Sequence, residues 1–263
     1  MNLEKITLKV CEIAKETAVF IKNEVSKIKS EDIEVKGLHN FVTYVDYTSQ
    51  EKLIAELSKL LPEAGYIVEE ETTKLTSDNL NWIIDPLDGT TNFIHGVPCF
   101  SISIALMEKQ KIIAGVVYEI NLDECFYAWE GGKAFLNEKE IHVSSRKTLN
   151  ESLLATGFPY YDYKYMRKYI DLFEYFMQYT SGVRRLGSAA VDLAYVACGR
   201  FEGFYEYSLN AWDVAAGAFI VQQAGGKVCD FKGGDDYIFG KEMIATNAFV
   251  FEEMKEVVGK FFK

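Results

Sequence analysis

The sequence predicts a mixed α+β body in two parts that share one interior. An α+β half covers about residues 1–145 and a layered α/β half about residues 146–263. Three patterns predict this. Apolar residues recur at helical steps near the N-terminus, strand-like segments follow one another from Cys99 to Trp129, and helix and strand patterns alternate through the second half. A length of 263 residues suits one domain of two subdomains, and a hydrophobic content of 49% supplies a packed core and excludes disorder. No repeat, low-complexity tract or long linker interrupts the chain.

Ile6, Val10, Ile13, Thr17 and Ile21 lie at steps of three and four with Lys and Glu between them, the pattern of an amphipathic surface helix. A polar connection, Ser30 to Asn40, contains Gly37. A second helix is predicted from about Asp46 to Leu61, with Leu53, Ile54, Leu57, Leu60 and Leu61 inward and Pro62 as its stop. Tyr66-Ile67-Val68 reads as a short strand ending in Glu69-Glu70-Glu71, residues 72–81 as loop, and Trp82-Ile83-Ile84 as a buried strand. Cys99–Met107, Ile112–Tyr118 and Glu124–Trp129 read as strands, with Asn121-Leu122-Asp123 turning between the last two. Gly131-Gly132 and Ile141-His142-Val143 extend the β-rich region. Beyond it, helices are predicted at about Tyr163–Met177, Ser188–Cys198, Trp212 to Gly225, and Phe249–Phe262. Strands fall at Val183–Leu186, Phe201–Tyr205, Lys227–Cys229 and Met243–Thr246.

The formal net charge of −11 sets the surface against nucleic acid and anionic lipid. An enzyme of phosphate esters with such a surface needs bound divalent cations to receive its substrate. The five cysteines form no C-x-x-C pair, which argues against a disulfide scaffold or structural zinc and for buried thiols in a reducing cytoplasm. The N-terminus, broken by charge, shows no signal peptide, and no apolar run approaches the ~20 residues of a membrane span. His39, His95 and His142 are scattered and are expected to be neither metal ligands nor bases, although His95 with Gly96 has a position to line an outer site. The aromatic cluster Phe158 to Tyr165 lacks a basic groove and reads as packing or a subunit contact.

The densest chemistry lies at residues 82–93, W-I-I-D-P-L-D-G-T-T-N-F. Pro86 holds Asp85 extended at the strand's end, and a following turn brings Asp85 and Asp88 to one side, where carboxylates suit Mg²⁺. Gly89 and Thr90 offer amides and a hydroxyl to a phosphate. The same letters also describe a simple turn. Asp46 and Asp213 stand at predicted helix starts, where Asp is equally a cap. Gathered in one low-dielectric place, Glu69, Asp85, Asp88, Asp213 and Asp46 would repel one another without cations, and with them would form a site for displacement at phosphorus.

On these residues the chain resembles the inositol monophosphatase family of Mg²⁺-dependent, lithium-sensitive phosphatases. The marks are Asp85-Pro86-Leu87-Asp88-Gly89-Thr90-Thr91-Asn92-Phe93, Trp212-Asp213-Val214-Ala215-Ala216-Gly217 followed by Gly225-Gly226, and the Glu69-Glu70 pair. The resemblance implies a layered αβαβα sandwich, a homodimer, and two or three Mg²⁺ per subunit. It assigns Glu69, Asp85 and the Leu87 carbonyl to one ion, Asp85, Asp88 and Asp213 to a second, and Glu69 with waters to a third. Asp46 and Thr90 would orient the attacking water, with no covalent intermediate, and the Gly89 and Thr90 amides would hold phosphate oxygens. Glu206 would meet a substrate hydroxyl, or else face solvent at a strand end. Gly187 and Ser188 would face the ligand, or else allow close packing. Lys36 matches a loop lysine of the family one residue closer to Asp46 than usual, and Val68 replaces a usual glycine. Thr91 favours inositol monophosphate over nucleotide and histidinol phosphate substrates. Fructose 1,6-bisphosphate is the alternative, and a non-catalytic binding protein on the same fold is the rival of a different class.

Overall fold

Period-two alternation in the strands sorts side chains into separate interiors, and these stack the chain in layers. The computed structural model describes residues 1–37, 40–70, 76–159 and 162–262, with the side chains of Ser30, Lys36 and Asn40 outside the description. Helix α1 (Leu3–Glu24) is followed by a ribbon of β1 (Ile33–Gly37) and β2 (Asn40–Thr43), then α2 (Tyr44–Leu60). Next come β3 (Gly65–Val68), β4 (Leu80–Asp88), the short helix α3 (Thr90–Ile94), β5 (Ser101–Glu108), β6 (Lys111–Glu119), β7 (Glu124–Trp129), β8 (Ala134–Leu136) and β9 (Lys139–Glu140). The chain continues through β10 (Leu153–Thr156), α4 (Met166–Tyr179), β11 (Gly182–Arg184), α5 (Ala189–Ala197), β12 (Gly203–Tyr207) and α6 (Ala211–Gln223). It closes with β13 (Lys227–Cys229), β14 (Glu242–Thr246) and α7 (Phe251–Phe262).

Strands β3 to β9 form a seven-stranded sheet in chain order, parallel only between β3 and β4. A five-stranded mixed sheet runs β11-β10-β12-β14-β13. On β4 and β5, Trp82, Ile84, Ile102, Ile104 and Leu106 face α1 and α2, whereas Ile83, Ala105 and Met107 face the other way. That second face packs on α5 and α6, whose far sides meet Phe204 and Ala245 of the small sheet. The small sheet's outer residues, Leu154, Tyr205 and Ile244, bury Leu172 and Phe176 of α4 and Met254 and Val258 of α7. The result is the αβαβα sandwich. Helix α6, enclosed between two sheets, is built of small residues because backbones approach closely: a Cβ at Gly115 would lie 2.8 Å from the Ala216 carbonyl oxygen.

Several local expectations are revised. The polar connection before α2 contains the β1–β2 ribbon, and β10 lies in a stretch read as neither helix nor strand. Residues Ile141–Val143 are not a strand, because β9 ends at Glu140. Strand β4 does not end at Asp85; it continues to Asp88 through an irregularity in its pairing with β5. Asp46 and Asp213 do not open their helices: Thr43 and Asn210 are the caps, and each aspartate sits three residues on. Val68 takes ordinary strand geometry paired with Ile84, so no glycine is required there. His39 and the Lys36 side chain lie outside the described residues. Among the described residues, no helix is long and apolar enough to cross a membrane. The five cysteines are free thiols.

Candidate active site

Strand ends and helix starts converge at one edge of the layers. Beside Asp85 in the β4–β5 register lies Ser103, whose hydroxyl donates to the Trp212 carbonyl at 3.0 Å and so draws the first turn of α6 toward β4. Beside Asp88 lies Ser101, 3.2 Å from the Ser188 hydroxyl at the cap of α5. These two serines, two apart on one strand face, tie both helix starts to the motif strand. Asn92 adds a clamp, donating to the Cys99 and Leu186 carbonyls at 2.7 and 2.8 Å. Gln50 of α2 pairs with the Glu70 backbone through both its amide groups, which sets the segment carrying Glu69.

A cavity of about 230 Å³ opens where these elements meet. Glu69, Asp85, Leu87, Asp88, Gly89, Thr90, Gly187, Ser188, Glu206 and Asp213 all line it. Asp46 stands behind the lining, one hydrogen bond away: Thr90 Oγ1 lies 3.0 Å from Asp46 Oδ1 and 3.0 Å from the Leu87 carbonyl oxygen. The other Asp46 oxygen accepts from the Thr43 amide and hydroxyl at 2.8 and 2.7 Å, so the helix cap also fixes this carboxylate. Glu70 is buried away from the cavity, and only Glu69 of the pair lines it. His95 and His142 are exposed and absent from the lining.

Gly89 must be glycine. Its φ is +97°, and a Cβ would meet the Cys99 oxygen at 3.0 Å. Gly187, at φ +95°, likewise leaves room for the Arg185 guanidinium and Asn92. Ser208, a non-glycine residue at φ 70°, carries strain at the cavity wall.

The carboxylates act on one another through burial and charge. Burial raises Asp85 well above the usual range, and the charges of Glu69, Asp88 and Asp213 raise it further. Asp213 is raised well above it by burial and then by Asp88 and Glu69, against the Asn210 amide that donates to it at 2.7 Å. Asp88 is pushed up to about 6 by burial, moderated by the Ser188 hydroxyl at 2.6 Å and the Ala190 amide at 2.8 Å. Burial also raises Asp46, against hydrogen bonds from Thr43 and Thr90. Glu206 is pushed up to about 8 by burial, opposed by the Arg185 cation. Such a set is unfavourable when fully ionised and unneutralised.

The donor chemistry fits a hard cation: carboxylate oxygens and one backbone carbonyl, with no thiolate or imidazole in the lining among the described residues. Among the described residues no three acidic, histidine or cysteine side chains are already drawn into a tight cage. Asp85 Oδ1 accepts from the Leu87 amide at 2.9 Å, and Asp88 and Asp213 are likewise turned to amides, which lessens mutual repulsion.

Arg185, Gly157, Asp192 and Asn210 also line the cavity and were not singled out in the sequence. Gly157 has a spatial reason: a Cβ there would lie 1.9 Å from Glu206 Oε1, so the carboxylate occupies the space a side chain would need. No linear signal marks it. The alternating serines of S-I-S-I at Ser101–Ile104 and the adjacent Arg184-Arg185 pair were visible signals.

An acid-lined cavity with a Thr90–Asp46 hydrogen bond and a glycine turn has the chemistry of an enzyme of phosphate esters. The inositol monophosphatase family model matches residues 2–260. An inositol-1-monophosphatase of Mesorhizobium japonicum is 38% identical over 241 residues, 91% of each chain. The Nus factor SuhB of Haemophilus influenzae is 42% identical over 220 residues, 83% of this chain and 82% of that one. The crystal structure of the extragenic suppressor protein suhB from Bartonella henselae superposes with a TM-score of 0.90 at 38% identity, covering 98% of both chains. The chain belongs to the inositol monophosphatase family and is a phosphatase, a phosphoric monoester hydrolase.

Proposed function

We propose that this protein hydrolyses inositol monophosphate to inositol and phosphate in a Mg²⁺-dependent reaction without a covalent intermediate. One observation carries the reading: Glu69, Asp85, Asp88 and Asp213, remote in sequence, line one cavity with the Leu87 carbonyl and with Thr90 bonded to Asp46. Two or three Mg²⁺ would be held by Glu69, Asp85, Leu87, Asp88 and Asp213; when bound, such ions acidify water and neutralise charge on attacking and leaving oxygens. Thr90 orients the water and passes its proton toward Asp46, whose far oxygen is anchored by Thr43. Gly89 and Thr90 hold phosphate oxygens with their amides, while Glu206 and the Gly187–Ser188 turn receive the alcohol.

The relatives named for inositol-1-monophosphatase support the substrate. Fructose 1,6-bisphosphate remains the alternative, favoured by the Arg185 cation beside Glu206. Other relatives bear the name Nus factor SuhB, which suits a binding protein on this fold; retention of every expected acidic residue and of Thr90 favours catalysis. A homodimer belongs to the same reading, supported by exposed Met166, Ile170 and Met177 on α4 and checked by light scattering. The test of function is phosphate release from inositol 1-phosphate, fructose 1,6-bisphosphate, 3′-phosphoadenosine 5′-phosphate and histidinol phosphate, with EDTA or Mg²⁺. Mg²⁺-restored turnover, fastest on inositol 1-phosphate, is expected; full turnover in EDTA would overturn the reading.

A further inference from the structure

Ser208 stands in the connection from β12 to α6 with φ at 70°, a left-handed conformation that glycine enters freely and other residues enter at a cost. Among the described residues five other non-glycine residues have positive φ. Lys109, Asp123, Asn137 and Glu138 lie in turns between paired strands, where such angles are ordinary, and Lys241 precedes β14. Of these six, Ser208 is the one that lines the cavity. The fold accounts for its backbone. Strands β12 and β14 are last paired at Tyr207 and Glu242, and the Leu209 amide then donates to the Lys241 carbonyl at 3.1 Å. The Tyr207 hydroxyl donates to the Asp162 carbonyl at 2.9 Å, so the turn is held on both sides. Such a turn asks for a positive φ, not for a serine. Gly89 and Gly187, the two other cavity-lining positions of positive φ, are glycines. The Ser208 hydroxyl makes no hydrogen bond among the described residues, and the residue is half-buried rather than enclosed. A strained residue with an unengaged hydroxyl on a cavity wall asks for a ligand.

We infer that Ser208 is a specificity-determining residue whose hydroxyl hydrogen-bonds the alcohol portion of the phosphate ester. The inference rests on the phosphatase reading above. In that reading the β4–α3 turn serves the phosphate, whereas Ser208 lies two residues beyond Glu206, on the segment given to the alcohol. A neutral hydroxyl offers a donor and an acceptor without adding charge to an acidic cavity, and so matches a hydroxyl on the ligand. It competes poorly for a hard cation against the surrounding carboxylates. No base is hydrogen-bonded to it among the described residues, as an attacking serine would need. The favoured ester is therefore one whose alcohol keeps a free hydroxyl within reach of this turn.

The ratio of kcat/KM for inositol 1-phosphate to that for cyclohexyl phosphate, a ring of the same size without hydroxyls, tests this in Mg²⁺-loaded enzyme. Ser208→Ala keeps the backbone strain and removes the hydroxyl, whereas Ser208→Gly removes both. The ratio is expected to fall about fivefold in each, the loss that follows removal of one neutral hydrogen bond. Ser208→Gly is expected to melt no lower than wild type, because glycine takes this φ without strain, so its loss is not one of folding. A ratio unchanged in either variant would overturn the role of the hydroxyl: a fall in alanine alone would trace to the methyl group, and a fall in glycine alone to backbone freedom. Equal losses on both esters would likewise overturn it. Failure of the wild-type enzyme to release phosphate from either ester would instead overturn the phosphatase reading itself.

Discussion

Asp88 carries two duties on one carboxylate. One oxygen accepts from Ser188 and Ala190, which ties β4 to the start of α5, and the group also faces the cavity among other acids. Replacing it by Asn keeps the shape and removes the charge. Asp88→Asn is therefore expected to cut phosphate release by more than about a hundredfold while the protein still folds, read by turnover and circular dichroism. Near-normal turnover would remove Asp88 from the proposed metal site. Gly157 makes a second residue-level case. A methyl there would displace Glu206, so Gly157→Ala is expected to raise KM for inositol 1-phosphate more than it lowers kcat. The carboxylates were legible in the sequence because each belongs to a short pattern with its own chemical logic. Gly157 was not, because it matters only through Glu206, a partner remote in sequence that the fold brings beside it.

At the level of elements, two helices use the same start. Thr43 and Asn210 cap α2 and α6, and Asp46 and Asp213, three residues later, bond back to the cap amides. The motif lets a helix terminus hold an acidic side chain rigidly at the cavity. Thr43→Ala is expected to cost about 1–2 kcal/mol in urea unfolding and to slow turnover, with Thr43→Ser close to wild type in both. The sequence marked α1 and α2 by apolar stripes at helical steps, the β5–β7 meander by consecutive apolar segments, and α6 by a run of small residues closed by Gly225-Gly226. It missed the β1–β2 ribbon and β10, which are short, and β10 also takes its partners from β11 and β12, beyond α4 and α5. It ended β4 too early because Pro86 and Asp85 look like a stop, whereas the strand absorbs them with a shift in register. The tight seam between β6 and α6 gives one more expectation. Gly115→Ala, whose Cβ would press on the Ala216 carbonyl, should destabilise by about 1–3 kcal/mol in the same urea measurement.

For the whole molecule, the acidic pocket makes stability depend on pH and on cations together. Asp88 is raised from 3.8 to about 6 and Glu206 from 4.5 to about 8, so without metal the folded state holds protons that the unfolded state has released. Their contribution is full below about pH 4 and is lost as pH rises through about 6 and then about 8. In EDTA the melting temperature is therefore expected to fall across that range, and Glu206→Gln to flatten its upper part. Added Mg²⁺ should restore stability at the alkaline end, where the carboxylates are charged and the ion binds only the folded chain. A pH-independent melting temperature in EDTA would count against a shared acidic pocket. The formal charge of −11 places this pocket in a chain already rich in negative charge, so local neutralisation governs substrate entry.

The most direct measurement is anomalous diffraction from crystals soaked in Mn²⁺ and phosphate. Peaks should fall among Glu69, Asp85, Asp88 and Asp213, with phosphate against Gly89 and Thr90. Cations bound elsewhere, or phosphate held away from that turn in their absence, would show that this cavity is not where the ester is cleaved.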